Sequence, residues 1–165
     1  LIEAERDTPE AKIAQGDCRM RCNEQIQKNN IFEVFMTDRH EEITEGSRSN
    51  IFFINRDQLI TAPYHRVLPG VVRKKTLALA EKNNIQVIYR CINSKQELKE
   101  MNSAFLTGTS PRVLPVKQIE NIKLQSNHPL IKMLMSEFHK MVSSYIKDHK
   151  HLNYGTNQRR SPETI

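Results

Sequence analysis

Any fold for this chain has to accommodate residues 42–54, EITEGSRSNIFFI. NIFFI is a strand candidate of aromatic and β-branched residues, and FEVFMTD at 32–38 offers another just before it. Between them stand Gly46, Ser47, Ser49 and Asn50. Such residues normally end strands, because glycine costs backbone entropy and Ser and Asn bond their own backbone. The interruption reads either as an ordinary turn or as a place where a ligand comes close to the backbone. Glu45, at its head, is the residue to explain.

Around this segment the sequence reads as one α+β unit without internal repeats. Residues 1–5 look like a strand end, closed by RDTPEAK, where Pro9 keeps Thr8 extended. Asp17 can cap a helix running to about Lys28, with Met20, Cys22 and Ile26 on its apolar face. Strand candidates come next at 31–37, 42–44, 50–54 and 58–61, an antiparallel meander that turns at DRHE. After Gly70 the pattern predicts a helix over 71–84, then a strand over 85–92 and a short helix capped by Ser94. SAFLTG (103–108) and RVLPV (112–116) are further extended segments. Pro129 opens an amphipathic helix over 129–148, and the polar tail 149–165 is expected to be flexible.

At 165 residues the chain can bury one substantial core. It has no apolar run of bilayer-spanning length, and LIEAERDTPEAK lacks the basic-then-apolar layout of a signal peptide. Cys18, Cys22 and Cys91 are too few and odd in number for a disulfide framework. Cys18 and Cys22 stand one helical turn apart, yet no His or third Cys lies near them to complete a zinc site. Free thiols in a reducing cytoplasm are the expectation, with no metal. The net charge of +6 raises the question of nucleic acid, but the basic residues are scattered. Their densest clusters, Arg73-Lys74-Lys75 and Arg159-Arg160, have no interleaved aromatics, so they read as solvated surface. The first residue is Leu, which suggests a piece of a longer protein.

Three loops place small residues or Gly at the junction between a strand and the next element: EGSRSN (45–50), LPGVV (68–72) and TGTSP (107–111). The middle one opens a helix, whose free amides favour anions. TGT adds a hydroxyl and a nest of amides. A phosphate alone gains nothing from a neighbouring glutamate. A ligand with phosphate at one end and a protonated ring nitrogen elsewhere accounts for both, which suggests pyridoxal 5′-phosphate. That cofactor also requires a lysine, for which Lys12 is the candidate and a surface lysine the plain alternative.

EITEGSRSNIFFI, LITAP, VLPGVVRKKTLALA and AFLTGTSPRVLPV, in that order, resemble the fold-type IV (class IV) pyridoxal-phosphate-dependent aminotransferases. That group includes branched-chain and D-amino-acid aminotransferases and aminodeoxychorismate lyases. The resemblance implies an α+β large C-terminal domain of the D-amino-acid aminotransferase-like fold, a mixed barrel-like sheet with flanking helices. It implies an interdomain strand and linker at 1–12, the cofactor domain at 13–148, and a small N-terminal domain missing from this chain. Lys12 would carry the cofactor and shuttle the Cα proton, and Glu45 would pair with the ring nitrogen. Val71, Val72, Gly108 and Thr109 would hold the phosphate, while Ser47, Ser49 and Asn50 shape the loop beneath the ring. Two positions depart from the family pattern: Val72 stands where a Thr is common, and Asp17 stands where branched-chain enzymes place a Tyr. The implied activity is transamination between an amino acid and a 2-oxo acid, in a cytoplasmic homodimer. Lyase-type elimination on the same scaffold and a non-catalytic degenerate domain are the alternatives.

Overall fold

The structure, a computed structural model, describes residues 1–4 and 16–149. Lys12 and nearly all of the tail expected to be flexible lie outside the described residues. The chain runs β1 (Ile2–Glu3), α1 (Gly16–Asn29), β2 (Phe35–Thr37), β3 (Glu42–Gly46), β4 (Asn50–Asn55), β5 (Gln58–Thr61) and α2 (Val71–Lys82). It continues through β6 (Val87–Tyr89), β7 (Ile92–Asn93), β8 (Ser103–Gly108), β9 (Arg112–Val116), β10 (Gln118–Ile119), β11 (Ile122–Lys123) and α3 (Pro129–Asp148). Short 3₁₀ turns sit at Tyr64–Arg66 and Leu98–Glu100.

Two mixed sheets result, ordered β1-β2-β3-β7 and β6-β5-β4-β8-β9. The class is α+β, as the sequence indicated, but the meander expected from residues 31 to 61 is corrected. β3 pairs with β2 and β4 with β5, yet β3 and β4 belong to different sheets. The polar interruption is the point where the chain crosses from one sheet to the other. Residues 85–92, expected as one strand, cross in the same way: β6 lies parallel to β5 and β7 pairs with β3. Asp17, the expected cap, lies inside α1. The expected helix after Ser94 is reduced to the Leu98–Glu100 turn, and Asn93 Oδ1, not Ser94, accepts from the amides of Lys95 and Gln96.

NIFFI is continuously apolar because β4 is buried on both faces, and its alternate residues serve two cores. Ile51 and Phe53 join Phe35, Ile43, Ile92, Ala104 and Leu106 in the core between the sheets. Phe52 and Ile54 join Val72, Leu79, Phe105, Ile131, Leu134 and Phe138 under α2 and α3. Phe52 and Phe105, register partners across β4 and β8, stack with centroids 5.0 Å apart. Each such buried side chain is worth about 1.5–3 kcal/mol. In β3 the ladder skips Thr44, because Met36 opposes Glu45 and the next residue, Thr37, opposes Ile43. Thr44 is therefore a bulge, pinned by its hydroxyl donating to the Met36 carbonyl at 3.2 Å.

Asp38 ties the β2–β3 turn to the segment after β5. It accepts from the amides of His40 and Glu42 at 2.8 and 2.9 Å and from Arg66 Nη2 at 2.5 Å. Burial alone would raise its pKa, but the Glu42 amide, the Arg66 guanidinium and the His40 amide together hold it below the usual carboxylate value. A depressed folded pKa means that this stabilisation is present above about pH 4 and is lost as pH falls through the folded value. Asp38→Asn is expected to lower stability on the order of 1–3 kcal/mol at pH 7. Urea denaturation midpoints of the two proteins should draw together as the pH falls below about 4.

Candidate active site

The crossing segment 45–50 meets the loop before α2 and the end of β8 around a cavity of about 520 Å³. Glu45, Ser47, Ser49, Asn50, Val71, Val72, Gly108 and Thr109 all line it. The structure thus brings together every described residue singled out from the sequence.

Glu45 is 2% exposed at the inner end of the segment. Its Oε2 accepts from Asn50 Nδ2 at 3.3 Å and from the Leu68 amide at 3.2 Å. Asn50 Nδ2 also donates to the Leu68 carbonyl at 2.8 Å, so one amide side chain joins the carboxylate to the loop that leads into α2. A Cβ on Gly70 would sit 2.3 Å from Asn50 Oδ1. Glycine is needed there because the start of α2 approaches Asn50 so closely.

Ser47 and Ser49 do not turn their hydroxyls to the cavity alone. Both donate to Glu33, at 2.5 Å to Oε1 and 2.8 Å to Oε2. The Arg48 amide donates to Glu33 Oε2 at 3.3 Å. Glu33 therefore stiffens the loop from outside, a role that sequence reasoning missed. The available signal was a carboxylate set within the apolar run IFEVFM.

Helix α2 begins at Val71 with no side-chain cap and no acidic residue in its first turn, a favourable end for an anion. The Val71 side chain is exposed, whereas Val72 packs into the core under the helices. Arg73 corrects the reading of its basic cluster as solvated surface: Lys74 and Lys75 are exposed, but Arg73 is 2% exposed and lines the cavity. Its Nη2 donates to the Ala62 carbonyl at 2.6 Å, and its buried Nε has no hydrogen-bond partner among the described residues. Burial pulls its pKa below the ordinary value, against the attraction of Tyr89, Glu45 and Tyr64. Thr107, 1% exposed, also lines the cavity with a buried hydroxyl that lacks a partner among the described residues. Helix periodicity could have flagged Arg73, three residues after the cap and level with the inward-facing Thr76.

The remaining wall comes from α1 and β2: Cys18, Arg19, Cys22 and Met36. Burial, reinforced by the neighbouring Cys18 thiol, pushes the Cys22 pKa up to about 11, so this thiol is protonated at neutral pH. All three cysteines are free.

A buried carboxylate, an uncapped helix start and donors that lack a partner among the described residues surround one cavity. Comparisons with known proteins give the class of protein to which this fold belongs. The family described as "Amino-transferase class IV" matches residues 1–119, and the chain belongs to it. It is 29% identical over 121 residues to a "probable branched-chain-amino-acid aminotransferase" of Aquifex aeolicus, covering 72% of this chain and 39% of that protein. It is 29% identical over 107 residues to D-alanine aminotransferase of Bacillus licheniformis, covering 64% of this chain and 37% of that protein. The chain thus spans about two fifths of the curated relatives it matches. A "putative branched-chain amino acid aminotransferase" of Thermotoga maritima superposes with a TM-score of 0.76 at 27% identity, covering 88% of this chain and 54% of that one. A "putative 4-amino-4-deoxychorismate lyase" of Legionella pneumophila, at TM-score 0.77 and 19% identity over 85% of this chain and 53% of that one, shares the fold.

Proposed function

We propose that this chain is the cofactor-binding part of a pyridoxal-5′-phosphate-dependent aminotransferase that moves an amino group between an amino acid and a 2-oxo acid. The supporting observation is the pairing of Glu45 with an uncapped helix start, the Arg73 guanidinium and the Thr107 hydroxyl around one cavity. A phosphate ion by itself would be repelled by the carboxylate. Pyridoxal phosphate satisfies both ends, and when bound it supplies an electron sink for the substrate's Cα–H bond.

The chain's own residues then have separable tasks. Glu45 Oε2 keeps a proton on the ring nitrogen, and Asn50 and the Leu68 amide orient that oxygen. The amides of Val71 and Val72, with Gly108 and Thr109, hold the phosphate, and Val72 contributes its amide alone because its side chain is in the core. Ser47 and Ser49 fix the loop through Glu33. Lys12 lies outside the described residues. In this reading it attaches the cofactor and carries the Cα proton on Nζ, which requires a neutral amine near pH 7.

The same reading makes residues 1–12 the interdomain linker and 13–148 the cofactor domain, completed by a preceding domain that carries much of the substrate pocket. It places the full protein in the cytoplasm as a homodimer. Among the described residues no helix is long and apolar enough to cross a membrane. Two measurements test the reading. Thr109→Ala in the full-length protein should weaken cofactor retention by about 1.5–3 kcal/mol, the value of a hydrogen bond to a charged group. Amino transfer that depends on an added 2-oxo acid is the expected activity; release of pyruvate from an aminodeoxychorismate-like substrate without one would favour the lyase.

A further inference from the structure

We propose that Cys18, Cys22 and Met36 form a three-sulfur site for a soft monovalent metal ion of the copper(I) class on the α1–β2 wall of the cavity. Cys18 and Cys22 are four residues apart on α1, so their side chains emerge one above the other. Cys18 Sγ lies 3.9 Å from Met36 Sδ, and Cys18, Cys22 and Met36 all line the same wall of the cavity. Three sulfurs arranged in a plane around one ion at about 2.3 Å stand about 4 Å from one another. The Cys18–Met36 separation is that of one edge of such a triangle. Cys22 and Met36 are buried at 1% and 3% exposure, while Cys18 is part-exposed at the cavity and offers an entry path.

A disulfide explains the pair less well. Cβ atoms one helical turn apart are about 5–6 Å from each other, beyond the roughly 3.5–4.5 Å that a disulfide needs. An ion bridges that gap without moving the helix. Two thiols and a thioether are soft donors that suit copper(I) rather than magnesium or calcium, and three ligands fall short of the four that structural zinc takes. Among the described residues no group of three His, Cys, Asp or Glu is placed to hold a metal. Binding releases the two thiol protons and forms two sulfur–metal bonds plus one thioether contact, with no change of oxidation state. The resulting complex carries one negative charge, next to Arg19 on the same wall.

The test is an anaerobic titration of the reduced full-length protein with copper(I) held by a chromogenic chelator. One equivalent should transfer per chain, with sulfur-only scattering at about 2.2–2.3 Å in X-ray absorption. Met36→Leu, which conserves core volume, should weaken binding by more than about tenfold, already typical for loss of an outer-shell partner. Cys22→Ser should abolish it, and Cys91→Ala, in a separate core cluster, should leave it unchanged. No stoichiometric transfer would overturn the proposal. So would affinity unaffected by Met36→Leu, the mark of thiols binding without the thioether, or loss of binding in Cys91→Ala. Circular dichroism of each variant excludes misfolding as the cause.

Discussion

Lys12→Ala in the full-length protein is expected to abolish both amino transfer and the visible absorbance of lysine-bound cofactor, roughly 410–430 nm for such a linkage. The size of the effect comes from the chemistry. The amine is asked both to hold the cofactor and to move the Cα proton, and no described residue of the cavity is a second amine that could replace it. Borohydride reduction followed by peptide mapping checks the assignment directly. Label on Lys12 in the parent protein and none in the variant is the expected result. Label on another lysine would reassign the role and leave the cavity reading intact.

Glu45→Gln is expected to keep the cofactor but slow the proton-transfer half-reaction by on the order of 10²-fold, about 2.7 kcal/mol of barrier. The carboxamide is nearly isosteric, and its oxygen can still accept from Asn50 and the Leu68 amide, so the local architecture should survive. What it lacks is the charge that keeps a ring nitrogen protonated, and charge-assisted hydrogen bonds are roughly twice as strong as neutral ones. A simple anion site behaves in the opposite way, binding phosphate more tightly once the carboxylate is gone. Single-turnover rates within a factor of about two of the parent would exclude the proposed role.

The sequence displayed the lining of the candidate cavity more fully than it displayed the topology. Glu45, Ser47, Ser49, Asn50, Gly108 and Thr109 were legible because small polar residues at the end of an apolar run need a reason. The pairing was not legible, since a polar break between two strand candidates looks the same whether the chain turns back on its neighbour or crosses to another sheet. Residues 85–92 misled in the same way: a β-branched run carries no mark of where one sheet is exchanged for another. Ser94 and Asn93 compete for the same capping task with similar side chains, and only register decided between them. Arg73 and Glu33 were missed because charge normally signals solvent. Here each is held by a specific partner, the Ala62 carbonyl for one and two serine hydroxyls for the other.

The extra residue at Thr44 makes the site depend on how the ladder absorbs one position as well as on which residues the strand contains. Met36 faces Glu45 only because the ladder passes over one position before Ile43. Since strand side chains alternate between faces, a ladder that ran on regularly from Ile43 would set Thr44 opposite Met36 and turn the carboxylate to the other face. Thr44→Val should cost the protein the one side-chain hydrogen bond that pins the bulge in place. Between β2 and the start of β4, the bulge lets one strand hold a residue more than its partner while the carboxylate keeps its face.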